Sequence, residues 1–163
     1  MKPVYLILAL GLAIAGQAGL GALWPEAPRY VDLLFVPTVW YALAASQRAG
    51  MLVGCAAGLL QGAWFQTDVF GLHGFNKTAL GWALGGLGER FDVRRQPARA
   101  TFGALAVAAD GLMSFGLRRM LDPAEPVFAF APIAVKALVT GLLVAAAFGV
   151  TRRLHERRPG WVS

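Results

Sequence analysis

Apolar runs close to the thickness of a bilayer dominate this chain and leave little else to fold. They cover residues 4–24, 31–46, 49–65, 71–88, 100–120 and 128–150. A helix crossing the hydrocarbon core needs about 20 apolar residues. The runs 4–24, 100–120 and 128–150 meet that length. The runs 31–46 and 49–65 are shorter and are separated only by Gln47-Arg48. Pro37 removes a backbone donor within the first of this pair and is expected to bend it. The runs predict an all-α polytopic membrane protein with about six transmembrane helices. A five-helix reading, with one member of the short pair re-entrant, stays open.

Composition agrees. The chain is 57% hydrophobic and 15% charged, where soluble domains are about 25% charged. Residues 1–150 read as one transmembrane domain and 151–163 as a basic cytoplasmic tail. The first run exceeds the roughly 7–15 apolar residues of a signal-peptide core, so it reads as a retained helix. The lone Cys55 forms no intrachain disulfide and has no metal-ligand spacing around it.

Six crossings divide the basic residues unequally. One side carries Lys2, Arg48, Arg90, Arg94, Arg95, Arg99, Arg152, Arg153, Arg157 and Arg158, and the other Arg29, Arg118 and Arg119. The positive-inside rule places both termini in the cytoplasm. The net charge of +6 is therefore topological and faces lipid. No aromatic interleaving or binding motif accompanies it, which argues against nucleic acid. Glu26, Asp32, Asp68, Asp122 and Glu125 fall on the outer side. So do the interfacial aromatics Trp24, Tyr30, Trp64, Phe65 and Phe70, while Trp161 lies in the tail.

Helices in lipid lack a hydrophobic drive to associate, so close packing falls to small residues four apart. Gly54, Gly58 and Gly62 share one face of the third run. Gly81 and Gly85 do so in the fourth, and Gly141 continues an Ala137–Gly149 register in the sixth. The first run adds Ala9 with Ala13 and Ala15 with Gly19. These ladders serve packing within the bundle, and one of them is a candidate seat for a partner's transmembrane helix.

Polar residues inside the runs are the costly ones. An intramembrane charge costs roughly 2.5–3.5 kcal/mol on insertion scales. Asn76 and Lys77 lie about two turns into the fourth run, Lys136 is placed similarly in the sixth, Asp110 falls mid-way along the fifth, and Gln61 lies in the third. Depth pairs Asp110 with Lys136, because the fifth and sixth runs are adjacent and antiparallel. Either lysine could instead snorkel to the headgroups. His73 and His155 read as capping or interfacial residues. No Ser-His-Asp set, paired catalytic carboxylates or phosphate-cradling loop is present, so the residues point to neither an enzyme nor a cofactor.

Three segments resemble the rod shape-determining MreD family. Asp32-Leu33-Leu34 followed by Pro37 resembles the family's Asp-Leu-Leu start. Arg48-Ala49-Gly50 with Gly54, Gly58, Leu59 and Leu60 resembles its glycine-rich third helix. Gly71-Leu72-His73-Gly74-Phe75-Asn76-Lys77-Thr78-Ala79-Leu80-Gly81-Trp82 resembles its Lys-bearing fourth helix. The likeness is continuous from about Val31 to Gly88. Gln61 departs from it, standing where the family usually has an acidic residue.

The resemblance implies a non-enzymatic scaffold in the bacterial inner (cytoplasmic) membrane. Such a subunit pairs with MreC and links MreB filaments to peptidoglycan synthesis by RodA and its class B penicillin-binding partner, maintaining rod shape. It also implies a bundle similar to the substrate-binding subunits of energy-coupling-factor transporters. The alternative is therefore a small-molecule (vitamin) binding subunit of that transporter type. On the scaffold reading, the glycine faces, Lys77 and its polar neighbours are expected to organise the surface that meets MreC.

Overall fold

The computed structural model describes residues 3–65, 71–91, 96–121 and 130–156. Lys2, Asp68, Phe70, Arg94, Arg95, Asp122, Glu125, Arg157, Arg158 and Trp161 lie outside the described residues. The described residues form helices α1 (Pro3–Leu23), α2 (Ala27–Tyr30), α3 (Phe35–Ala44), α4 (Gln47–Trp64), α5 (Leu72–Arg90), α6 (Gln96–Leu121) and α7 (Phe130–Glu156). Among the described residues, three helices are long and apolar enough to cross a membrane: Val4–Leu23, Pro97–Leu121 and Phe130–Thr151. Only 17%, 22% and 28% of these spans are buried within the protein. Their outward faces carry side chains such as Ile7, Leu8, Leu12, Leu112, Leu138 and Leu142, a surface that lipid tolerates and water does not.

The second apolar run is not a full helix. Residues 31–34 are non-helical and α3 begins at Phe35. Its ten residues rise about 15 Å, half of a hydrocarbon core about 30 Å thick. This later start also changes the part played by Pro37. The proline falls in the first turn of α3, where a backbone N–H has no intrahelical acceptor, so its missing donor costs no intrahelical hydrogen bond. α7 continues past residue 150 to Glu156.

Local signals set the other helix ends. The Ser46 hydroxyl accepts from the Ala49 N–H at 3.2 Å and caps α4. Gly71 precedes α5 with φ 88°, a left-handed conformation that glycine adopts without steric cost. The Glu89 carboxylate accepts from the Gln47 N–H at 3.2 Å, tying the start of α4 to the end of α5.

α4 and α5 are antiparallel and packed backbone to backbone. A Cβ added at Gly54 would strike the Lys77 carbonyl, and one at Gly58 the carbonyl of His73. Gly81 sits against the Gly50 backbone and Gly85 against Gln47. α6 and α7 form a second pair, where a Cβ added at Gly141 would clash with the Ala104 Cβ of α6 at 2.9 Å. α3 lies between the pairs. Phe35, Val39 and Ala42 of α3 join Leu84 of α5, Val107 of α6, and Val144 and Phe148 of α7 in the main core. α1 leans on the outside through a smaller cluster of Leu10 with Leu34 and Ala57.

Candidate functional site

The non-helical stretch 31–34 leads the chain into the bundle, and its peptide groups need partners there. In a membrane interior, unpaired backbone groups cost several kcal/mol each. Gln17 of α1, only 1% exposed, satisfies two of them. Its Nε2 donates to the Val31 carbonyl at 2.9 Å, and its Oε1 accepts from the Leu33 N–H at 2.8 Å. The amide thus clamps the non-helical backbone at two points, on either side of Asp32. Between those two contacts, the Asp32 N–H donates to Thr140 Oγ1 of α7 at 3.3 Å.

Held this way, the Asp32 carboxylate becomes the hub of the bundle. Its Oδ1 accepts from the Phe35 N–H, the first N–H of α3, at 3.1 Å, where the helix dipole also favours a negative charge. Its Oδ2 accepts from Lys77 Nζ of α5 at 2.6 Å. Lys136 Nζ of α7 stands 3.5 Å from the same oxygen. Lys77 is fully buried and its ammonium also lies 4.4 Å from the centre of the Phe35 ring, within cation–π range. One carboxylate therefore joins α3, α5 and α7, and the knot carries one more positive than negative charge.

This geometry corrects the expected Asp110–Lys136 pair. Depth along adjacent helices favoured that pairing, but the lead-in stretch carries Asp32 closer to Lys136 than Asp110 is. Lys77 does not snorkel, because a buried anion meets it first. Nor can Lys77 or the faces of Gly54, Gly58, Gly62, Gly81 and Gly85 touch a partner directly, since all are buried inside the bundle.

A second polar group adjoins the knot. Asn76 of α5 is fully buried, and its Nδ2 donates to Ser114 Oγ of α6 at 2.8 Å. Asp110 lies one turn from Ser114 on the same helix and is 2% exposed. His73, one turn from Asn76, lies within electrostatic reach of Asp110, Lys77, Lys136 and Asp32. Among the described residues, five side-chain atoms are buried without a hydrogen-bond partner: Trp40 Nε1 of α3, and Asn76 Oδ1, Asp110 Oδ1, His73 Nδ1 and Gln61 Oε1. Gln61 belongs to this end of the bundle because Gly58, one turn away on α4, packs against His73 and Gly74.

Of the residues singled out from sequence, the fold brings Asp32, Lys77 and Lys136 into one knot, with Asn76 and Asp110 beside it and Gln61 on α4 towards the same end of the bundle. Sequence reasoning missed Gln17, Thr140 and Ser114. Each had a signal, being a hydrogen-bonding side chain within an apolar run with no local reason to be there. The described residues hold no group of three His, Cys, Asp or Glu side chains placed to bind a metal ion. Comparison of the chain with known protein families, with curated proteins and with solved structures gave no match.

Proposed function

We propose that this chain is a non-enzymatic scaffold subunit of the rod-shape machinery, of the MreD type, which pairs with MreC in the inner membrane. One observation carries the reading. The three segments that resemble the MreD family form a single physical unit here. Asp32 of the first and Lys77 of the third, 45 residues apart, make one buried ion pair. The glycines of the second pack on the backbone that carries Lys77. A motif set whose members meet in space is selected for one arrangement of helices, which is what a scaffold must keep constant.

On this reading the bundle is six-helical and similar to the substrate-binding subunits of energy-coupling-factor transporters. The lead-in stretch and α3 together supply the second crossing, and both termini are cytoplasmic. The MreC helix lies against α1. That helix is the most exposed of the three spans, and Cβ atoms added at Gly11 or Gly19 would meet nothing. Assembly with MreB, RodA and the class B penicillin-binding protein follows through MreC and the cytoplasmic ends.

The test is replacement of the resident MreD in a rod-shaped bacterium, with the matching MreC supplied. Rods and co-purified MreC are expected with the wild-type chain, and rounded cells with Lys77→Met. Spherical cells without recoverable MreC, from a chain that is folded and membrane-inserted, would refute the proposal. The unpartnered acceptors around Asp110 favour a second reading, a vitamin-binding subunit of an energy-coupling-factor transporter. Saturable stabilisation by one vitamin in a thermal screen would select it instead.

A further inference from the structure

The scaffold reading leaves Asn76, Asp110, His73 and Gln61 without a task. Their unpartnered atoms share a chemical character. A carboxylate oxygen and two amide oxygens only accept hydrogen bonds, and His73 Nδ1 accepts in one tautomer. Leaving such atoms buried and bare costs about 1–3 kcal/mol each. An occupant that satisfies them must bring several donors. We propose that this end of the bundle is a binding site for an uncharged, hydroxyl-rich group, a sugar or similar polyol.

Charge and burial select that class. The two carboxylates here, Asp32 and Asp110, balance the two ammoniums, Lys77 and Lys136. A neutral occupant keeps that balance, whereas a cation would sit beside two ammoniums and an anion would face bare acceptors. Lys136 has three N–H donors and its nearest anionic partner is 3.5 Å away; Ser114 offers a hydroxyl. The occupant must therefore accept as well as donate, which a hydroxyl does and an amine cation does not. Burial supplies a direction of approach. Asn76 and Asp110, at 0% and 2% exposed, form the floor. Gln61 and His73 are half-buried, and the Lys136 side chain is 17% exposed, so these form the rim.

A sugar could arrive free or as the headgroup of a glycolipid, and the experiment separates the two. The full chain is placed in phosphatidylcholine nanodiscs, and its unfolding midpoint is followed by tryptophan fluorescence. One series adds glucose, and the other includes monoglucosyl diacylglycerol in the disc. A saturable rise with glucose identifies a free sugar, and a rise with the glycolipid alone identifies a headgroup. Asn76→Leu and Asp110→Leu are expected to lose that rise. Polyols also stabilise proteins generally, by exclusion from their surface. An equal rise in wild type and both variants therefore overturns the proposal, as does no saturable rise in either series. Should both variants fail to fold, the rim variant Gln61→Leu and saturation-transfer NMR of glucose on the wild-type chain decide. No transfer from protein to glucose, with no glycolipid effect, overturns it.

Discussion

Replacing Lys77 by methionine keeps the length and apolar stem of the side chain and removes one buried charge. The Asp32 carboxylate then loses its 2.6 Å contact and keeps the Phe35 N–H at 3.1 Å and Lys136 at 3.5 Å. Breaking a buried pair from one side costs about 3–5 kcal/mol. Lys136 remains to compensate Asp32, so Lys77→Met falls near the lower limit, at about 3 kcal/mol. Asp32→Asn keeps an acceptor for the Phe35 N–H and strands two ammoniums at once, so it falls near the upper limit, at about 5 kcal/mol. Lys136→Met removes a partly exposed and more distant charge and costs about 1 kcal/mol. The reasoning therefore predicts an order: Asp32→Asn above Lys77→Met above Lys136→Met. The combination of Asp32→Asn with Lys77→Met costs less than the sum of the two, by about 2 kcal/mol, because one interaction is counted twice. Unfolding in mixed micelles, followed through tryptophan fluorescence, measures all four. If Lys136→Met costs as much as Lys77→Met, or if the two main changes simply add, the Asp32 hub does not hold the bundle together.

Gln17→Leu strips partners from two part-buried backbone groups, at about 1–3 kcal/mol each. It is expected to destabilise the chain by about 2–4 kcal/mol in the same assay, and Gln17→Met should do the same. Gly54→Leu and Gly58→Leu drive side chains into the α5 backbone and are expected to abolish the folded bundle, since overpacking already costs about 1–3 kcal/mol where neighbours can yield. Gly11→Leu meets only open space and should leave stability within about 0.5 kcal/mol. If the MreC helix lies on α1, that same substitution lowers MreC recovery on co-purification. Ser114→Ala removes the acceptor of the 2.8 Å bond from Asn76 and is expected to cost about 1 kcal/mol by thermal unfolding.

Much of the architecture was legible because membrane helices are specified locally. Runs of apolar residues predicted the helices, and four of the six runs fall within a residue or two of the described helices or lie wholly within a longer one; 31–46 begins four residues before α3, and 128–150 stops six residues short of the end of α7. The glycine spacing in 49–65 and 71–88 predicted close packing, and the α4–α5 pair uses Gly54, Gly58, Gly81 and Gly85 for it. Lys77 stood out by its cost. The non-helical stretch 31–34 was not legible, since Val31, Leu33 and Leu34 extend an apolar run and nothing local breaks it. Its conformation depends on Gln17, 14 residues from Val31, and on Thr140, 108 residues from Asp32.

By itself the sequence determined that this chain is helical, apolar enough for a membrane, and close-packed where its glycines recur. Those properties follow from the period of a helix and from transfer of side chains into hydrocarbon, and each can be read within one segment. Only the tertiary structure decided which carboxylate the lysines meet. Depth along two neighbouring helices pointed to Asp110. Four non-helical residues, clamped by a glutamine from another helix, brought Asp32 there instead. A buried charge pairs with the nearest opposite charge in space, and that distance is set by the path of the whole chain.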